Sequence, residues 1–427
     1  MFNEKMFKLV VVFAVLFIFG FTGSGIAQKH ELTVWGYGGI SKPFWEKIMH
    51  EFEMRTPNVK IKYETPLQGL EISQALQKVR IALQSEAGPN VVFSDAVGQS
   101  LRELVKTKNV LSLDNAYRKY GWDNKIYQSA QESVTFDQKK WAIPLDMEVV
   151  GYFYNKNIFE KLGLSTPDTI DAFMNLLKTL TNAGYYGTAI GLRAGWPSAL
   201  MASEYMYISA GTEYIAVMEG RKKWVDSEKC LKGLKVFRSL VDKGYTNPFV
   251  TGIDYNQARD LFFTEKAATI LEGPWFISQI KETKPEFEVG FFCLPPINPD
   301  TDIKVLGGIG TSVIVTTQTK FEDRELAFQL LDFVISPYVS EKYAVELGAI
   351  NPIDFPVTKE IPPLTREIAQ AIKMYGKAIG YWPVYYLPAP LFSKLNSLIQ
   401  GMMAKKISPF DVLKKMDEAR EQYEKLK

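Results

Sequence analysis

The sequence predicts an α/β protein, on three observations. Apolar segments of strand length alternate with segments of helical periodicity. Gly and Pro mark the strand ends. The 427 residues are too many for one small module and fit two lobes of ordinary size. Hydrophobic residues at 46% and charged residues at 23% describe a globular chain rather than a disordered one.

The first element is for targeting. Lys5 and Lys8 form a basic start, Leu9 to Phe21 is an apolar run, and Gly25-Ile26-Ala27 offers small residues for cleavage. Residues 1–27 therefore read as a secretory signal peptide, with cleavage near Ala27. The 13 apolar residues reach roughly 20 Å as a helix, short of a bilayer core of about 30 Å. No Cys lies near the cleavage site, so no lipid anchor is expected, and the mature protein is placed in the periplasm or outside the cell.

Leu32-Thr33-Val34-Trp35 is a short strand ended by Gly36-Tyr37-Gly38-Gly39. Ser41 caps the next helix, with Pro43 in its first turn and Phe44, Trp45, Ile48, Met49 and Phe52 on one face. Val59, Ile61 and Tyr63 alternate as a strand, so the order strand, helix, strand demands a right-handed crossover in a parallel sheet. A second unit runs from the helix face Ile72 to Leu83 into Val91-Val92-Phe93. Ligands of open α/β sheets sit outside the strands' C-terminal ends, which directs attention to Tyr37 to Ile40 and Ser94 to Ala96.

Further on, Val149 to Asn155 reads as one apolar strand, Thr169 to Ala183 as a helix, and Ala189 to Leu192 as a strand running into the loop Arg193 to Pro197. Ala267 to Leu271 ends in Glu272-Gly273-Pro274-Trp275, and Val289 to Phe292 ends in Leu294-Pro295-Pro296. Gly307 to Gly310, read as a turn or as a loop that lets a ligand approach backbone, precedes a strand from Ser312 to Thr316. From about Glu322 the chain is almost wholly helical, and Ser408-Pro409 opens the last helix.

Composition excludes several chemistries. Two His and two Cys leave no zinc site, iron–sulfur cluster or disulfide framework, and no metal or cofactor is expected. Cys230 and Cys293 form either one disulfide or two buried thiols. A formal net charge of +2 gives no drive toward nucleic acid. No zincin helix, nucleophile elbow or phosphate loop occurs, so a glycoside hydrolase built on a carboxylate pair is the one enzyme reading left.

A sugar cleft needs flat aromatics for ring faces and carboxylates, amides or Arg for hydroxyls. Loop-terminal aromatics are Tyr37, Trp196, Trp275 and Trp382. Polar candidates are Asp95, Asp146, Glu148, Arg193, Glu272 and Asn351, with Gly308 as a backbone approach point. Trp35 and Trp45 are assigned to the core, and Trp141 fits either role.

At this point the chain resembles the extracellular solute-binding proteins of ABC transporters, in the carbohydrate-binding group that includes the maltose-binding protein. Five ordered segments carry the resemblance. They are Leu32 to Trp35 with its helix and Val59 to Tyr63; Pro89-Asn90-Val91-Val92-Phe93; Trp141-Ala142-Ile143-Pro144 with Tyr152 to Lys156 and Phe159 to Leu164; Phe262 to Ala268; and Gly273-Pro274-Trp275. The resemblance implies two α/β lobes with the ligand between them and a hinge of about three short crossings. By position these lie near Ala142 to Leu145, Cys293 to Ile297 and Thr319 to Phe321. One lobe is then 28–142 plus 298–319, and the other 143–297 plus 320–427. The implied contacts fall on Tyr37, Gly39, Ser94, Asp95, Asp146, Glu148 and Trp275, with Arg193 and Trp196 on a further loop. The implied function is non-catalytic: a monomer that binds a sugar or polyol and delivers it to membrane permease subunits. A polyol phosphate, a peptide or another small solute is the variant, and Arg193 facing the cleft would favour an anionic group. The family often has an aromatic after the strand ending in Phe93; this chain has none, which argues against a long maltodextrin-type ligand.

Overall fold

A computed structural model describes residues 30–36, 38–70, 72–85, 88–375 and 379–426. The expected signal peptide and Tyr37 lie outside the described residues.

The first unit forms as its pattern demands. His30–Trp35 pairs in parallel with Val59–Glu64 on one side and Val91–Ser94 on the other. The intervening helix Lys42–Arg55 buries Phe44, Trp45, Ile48, Met49 and Phe52, the apolar face its periodicity marks. Ser41 does not cap it; the Ser41 hydroxyl turns back to Gly38 O. Ser312–Val315 and then Ile143–Pro144 extend the sheet antiparallel, giving five strands from two distant parts of the chain.

A second sheet has the order Val289–Phe292, Gly151–Asn155, Ala267–Glu272, Tyr186–Ala189. Its central strand Ala267–Glu272 is buried at every position, as expected for a sheet covered on both faces.

The expected single strand from Val149 to Asn155 is instead two. Met147–Val149 pairs with Val305–Ile309, and Gly151–Asn155 belongs to the second sheet. Ile379–Tyr381 completes a three-stranded junction sheet between the two larger ones. The Gly307–Gly310 cluster is therefore mostly strand. Gly308 sits at φ +102 with Tyr381 against it, where a Cβ would come within 2.3 Å of that ring.

Two helices that the expected division gave to the second lobe pack on the first. Phe333 of Arg324–Val334 meets Phe52 at 5.8 Å, and Tyr343 of Pro337–Leu347 stacks on Phe44 at 5.4 Å. Apolar periodicity shows that such helices have a buried face; it does not show which sheet covers it.

The helix Trp196–Ala210 is the core of the other half, buried nearly all round. It carries Glu204, a fully buried carboxyl whose Oε2 accepts the Leu306 amide at 2.7 Å while Oε1 has no partner. Burial drives this group well above its ordinary range, against the bond from Leu306. A raised folded-state value means the contribution to stability is complete below the unfolded value, about 4.5, and fades as pH rises through the folded value. Denaturant unfolding from about pH 5 to about pH 9 is expected to show wild type losing stability relative to Glu204→Gln as pH rises. Parallel curves for the two proteins would contradict this. Cys230 and Cys293 are both free thiols, and burial pushes Cys230 up to about 12.

Candidate ligand-binding site

A cleft of about 1170 Å³ opens between the lobes. Gly39, Trp45 and Asp95 come from the first sheet and its helix, and Asp146, Glu148 and Gly310 from the junction. Trp196, Tyr255 and Trp275 form the second-lobe wall, and Trp382 and Phe392 come from the C-terminal part. A side cavity of about 340 Å³ shares Gly39 and Asp95 and runs toward Gln68.

The second-lobe wall is held from behind. Glu272 ends its strand fully buried, and Arg259 reaches it with Nε at 2.7 Å from Oε1 and Nη2 at 3.2 Å from Oε2. The Tyr255 hydroxyl donates to the same carboxylate. Trp275 Nε1 lies 2.8 Å from both Glu272 Oε2 and the Tyr255 oxygen. The Arg259 guanidinium lies 4.1 Å from the centre of the Tyr255 ring, a cation–π contact. One buried carboxylate thus fixes an indole, a phenol and a guanidinium, so the wall needs little ordering when a ligand arrives. Trp196 stands edge-on to Tyr255 at 4.7 Å, and Trp275 lies 5.8 Å from Trp382.

The floor is acidic. Thr311 Oγ1 donates to Asp146 Oδ2 at 2.6 Å. Burial raises the Asp146 carboxyl to about 6 even against that bond. Burial, with Asp146 and Asp95 adding like charge, pushes Glu148 well above the usual carboxylate range. Gly310 makes the arrangement possible: a Cβ there would come within 2.5 Å of both Glu148 carboxylate oxygens. Among the described residues, no group of acids, His or Cys is placed to hold a metal ion.

Of the candidate residues, Gly39, Asp95, Asp146, Glu148, Trp196, Trp275 and Trp382 line the cleft. Trp196 does so as the first residue of a helix rather than from a loop, with Gly195 at φ +88 turning the chain into it. The others are placed elsewhere. Ser94 is the buried end of its strand and lines only the side cavity. Arg193 pairs with Asp254 on the surface and is not among the residues that line the cleft. Glu272 lies behind the wall. Gly308 is in the junction sheet. Asn351 is fully buried, donating to Leu145 O at 2.7 Å and accepting from Ser340 at 2.8 Å, a brace under the floor. Tyr255 and Arg259 were not among the candidates; their spacing of four on one helix was the available signal. Trp45 is buried as expected, yet its ring borders the cleft.

Two lobes, a junction sheet and an aromatic-walled cleft define a solute-binding protein. Residues 38–339 match the profile of the bacterial extracellular solute-binding proteins, and the chain belongs to that family, whose members serve ABC transporters. The multiple sugar-binding protein of Streptococcus mutans is 23% identical over 304 residues, covering 70% of this chain and 69% of its own. The maltotriose-binding protein of Pyrococcus abyssi is 23% identical over 368 residues, covering 84% and 73%. A chitin oligosaccharide binding protein superposes with a TM-score of 0.77 at 20% identity, covering 92% of this chain and 98% of its own. Family and fold are those of binding proteins rather than enzymes. Among the described residues, no helix is long and apolar enough to cross a membrane.

Proposed function

We propose that the protein captures a sugar or polyol in the cleft and delivers it to the permease of an ABC importer, acting as a monomer without catalysis. Residues 1–27 would direct it across the membrane and be removed near Ala27. The observation that carries this reading is the pairing of an indole wall, Trp196 and Trp275, with the acceptors Asp146 and Glu148 on the floor. Ring faces meet the first and hydroxyls the second. The relatives' names, sugar-binding and maltotriose-binding, support the same ligand class. The acidic floor and the surface position of Arg193 speak against a polyol phosphate.

The lobes would close by a hinge, because a ligand touching both walls favours the closed state. We place the pivots within Leu145 to Val150 and Ile309 to Thr311, and assign Arg324–Val334 and Pro337–Leu347 to the first lobe.

A thermal-shift screen over neutral sugars, amino sugars, polyols and polyol phosphates tests the reading. A ligand held at about a hundred times its Kd adds about 2.7 kcal/mol to folding stability and raises Tm accordingly. A shift with polyol phosphates alone, or release of reducing sugar from any substrate, would overturn the proposal.

A further inference from the structure

The C-terminal side of the cleft is built largely from one helix, Ala389–Met403, and it carries polar capacity that the protein does not use. Phe392, Asn396 and Gln400 line the cleft at successive intervals of four, with Ser393 and Ser397 beside them, so they form one stripe of the helix surface. From Phe392 to Gln400 the stripe runs roughly 12 Å at about 1.5 Å per residue, longer than a single pyranose ring. The helix packs chiefly on Trp196–Ala210 and Pro409–Lys425, whereas the acidic floor lies in the junction, so its contacts come in addition to those of the floor.

Two amides in the stripe are half used. Asn396, only 8% exposed, accepts the Ala199 amide at 2.9 Å through Oδ1. Its Nδ2 has no partner among the described residues and keeps open surface at the cleft. Gln400 is the converse: Nε2 donates to Leu192 O, and Oε1 has no partner among the described residues. These bonds fix which end of each amide is which, because a backbone N–H needs an oxygen and a backbone carbonyl needs an N–H. One turn apart on the helix, the two amides leave a donor and an acceptor side by side. Both bonds also tie the helix to Leu192 and Ala199, on either side of Trp196. Water meets such atoms in an open cleft, but closure over a ligand removes it, and a polar atom left bare then costs affinity. None of the residues by which this helix lines the cleft is charged, so the stripe suits a neutral hydroxylated unit rather than a phosphate or carboxylate.

We propose that Phe392, Asn396 and Gln400 form a further sugar site, in which Asn396 donates to one ring hydroxyl, Gln400 accepts from the next, and Phe392 lies against the ring. The ligand is then an oligosaccharide, with one unit between the floor and the tryptophans and a later unit on this helix. The cleft of about 1170 Å³ exceeds the roughly 300–1,000 Å³ usual for small-ligand sites, which leaves room for both units. This rests on the sugar-binding reading above and adds chain length to it.

The test is calorimetry on the full-length protein with glucose, galactose, xylose and N-acetylglucosamine, each as the monosaccharide and as its linear trisaccharides, and with glycerol phosphate. In at least one series the trisaccharide is expected to bind at least about tenfold more tightly than the monosaccharide. Asn396→Leu is expected to shrink that ratio at least about threefold, because only the later unit loses a partner. Phe392→Ala, at a half-buried position, is expected to shrink it too and stands in if Asn396→Leu does not fold. An equal loss at both chain lengths would mean that these side chains only brace the wall, and would overturn the further site. Monosaccharides that bind as tightly as their trisaccharides would overturn it as well and leave the sugar reading standing. Binding of glycerol phosphate with no sugar would overturn both the sugar reading and the further site. Binding of none of these compounds would overturn the further site.

Discussion

Arg259→Met is expected to lower folding stability by about 3–5 kcal/mol, because it leaves the Glu272 carboxylate buried with no cation. The methionine keeps only the aliphatic stem, so the single loss combines the stranded charge with the space the guanidinium leaves. The Tyr255 and Trp275 donors remain, but they cannot replace a guanidinium that binds both carboxylate oxygens. The double variant Arg259→Met, Glu272→Gln is expected to regain most of the stability, since a neutral amide leaves no charge stranded. Denaturant midpoints for the four members of this cycle give the coupling directly. A double variant as unstable as Arg259→Met would mean the guanidinium matters for its packing on Tyr255 and Phe276, not for its charge.

Trp275→Ala is expected to weaken ligand binding by about 2–4 kcal/mol, as for loss of a central aromatic anchor. The cost in folding stability should be smaller than the roughly 3–5 kcal/mol typical of a core tryptophan, because this one is only half-buried and borders the cleft. Its Nε1 is tied to Glu272 and Tyr255, so the ring is held before a ligand arrives and little entropy is lost on stacking. Trp275→Phe should keep part of the stacking and lose the anchor, falling between wild type and alanine. Calorimetric affinity for a ligand found in the screen, set beside the denaturant midpoint, separates the two effects. Unchanged affinity with a large stability loss would return Trp275 to a purely structural role.

The fold was largely legible. Period-2 runs such as Val59 to Tyr63 and the helical face from Phe44 to Phe52 mark elements whose neighbours are set by short connections. What escaped was anything decided by distant chain. The strand breaks at Val150, inside an unbroken apolar run, because Val149 and Gly151 answer to partners on different sheets, more than a hundred residues away. Of the site, Trp275 was readable because Gly273-Pro274 stops the strand and fixes the turn. The role of Glu272, three residues earlier, was not: the sequence marks it as a ligand contact, and it braces the wall from behind instead. A strand buried on both faces has no polar side to show which way its last carboxylate points, and Arg259 had to be found across space. Trp45 shows the same limit from the other direction. Helical periodicity identifies an inward face, but it does not say that the buried indole backs onto a cleft.

Position along the junction also sorts the ligand contacts by leverage. Ile143–Pro144 lies in the first sheet and Met147–Val149 in the junction, while Val305–Ile309 leads within three residues into Ser312–Val315 of the first sheet. The proposed pivots therefore fall beside Asp146, Glu148, Gly310 and Thr311, the same residues that form the cleft floor. Atoms near a pivot travel little as the lobes swing, and atoms at the rim travel far. The acidic floor would meet the ligand with nearly the same geometry at any opening angle, and Trp196 and Tyr255 would reach it only late in the swing. Changes on the floor then act on the first encounter, and changes at the aromatic rim act on how firmly the jaws stay shut.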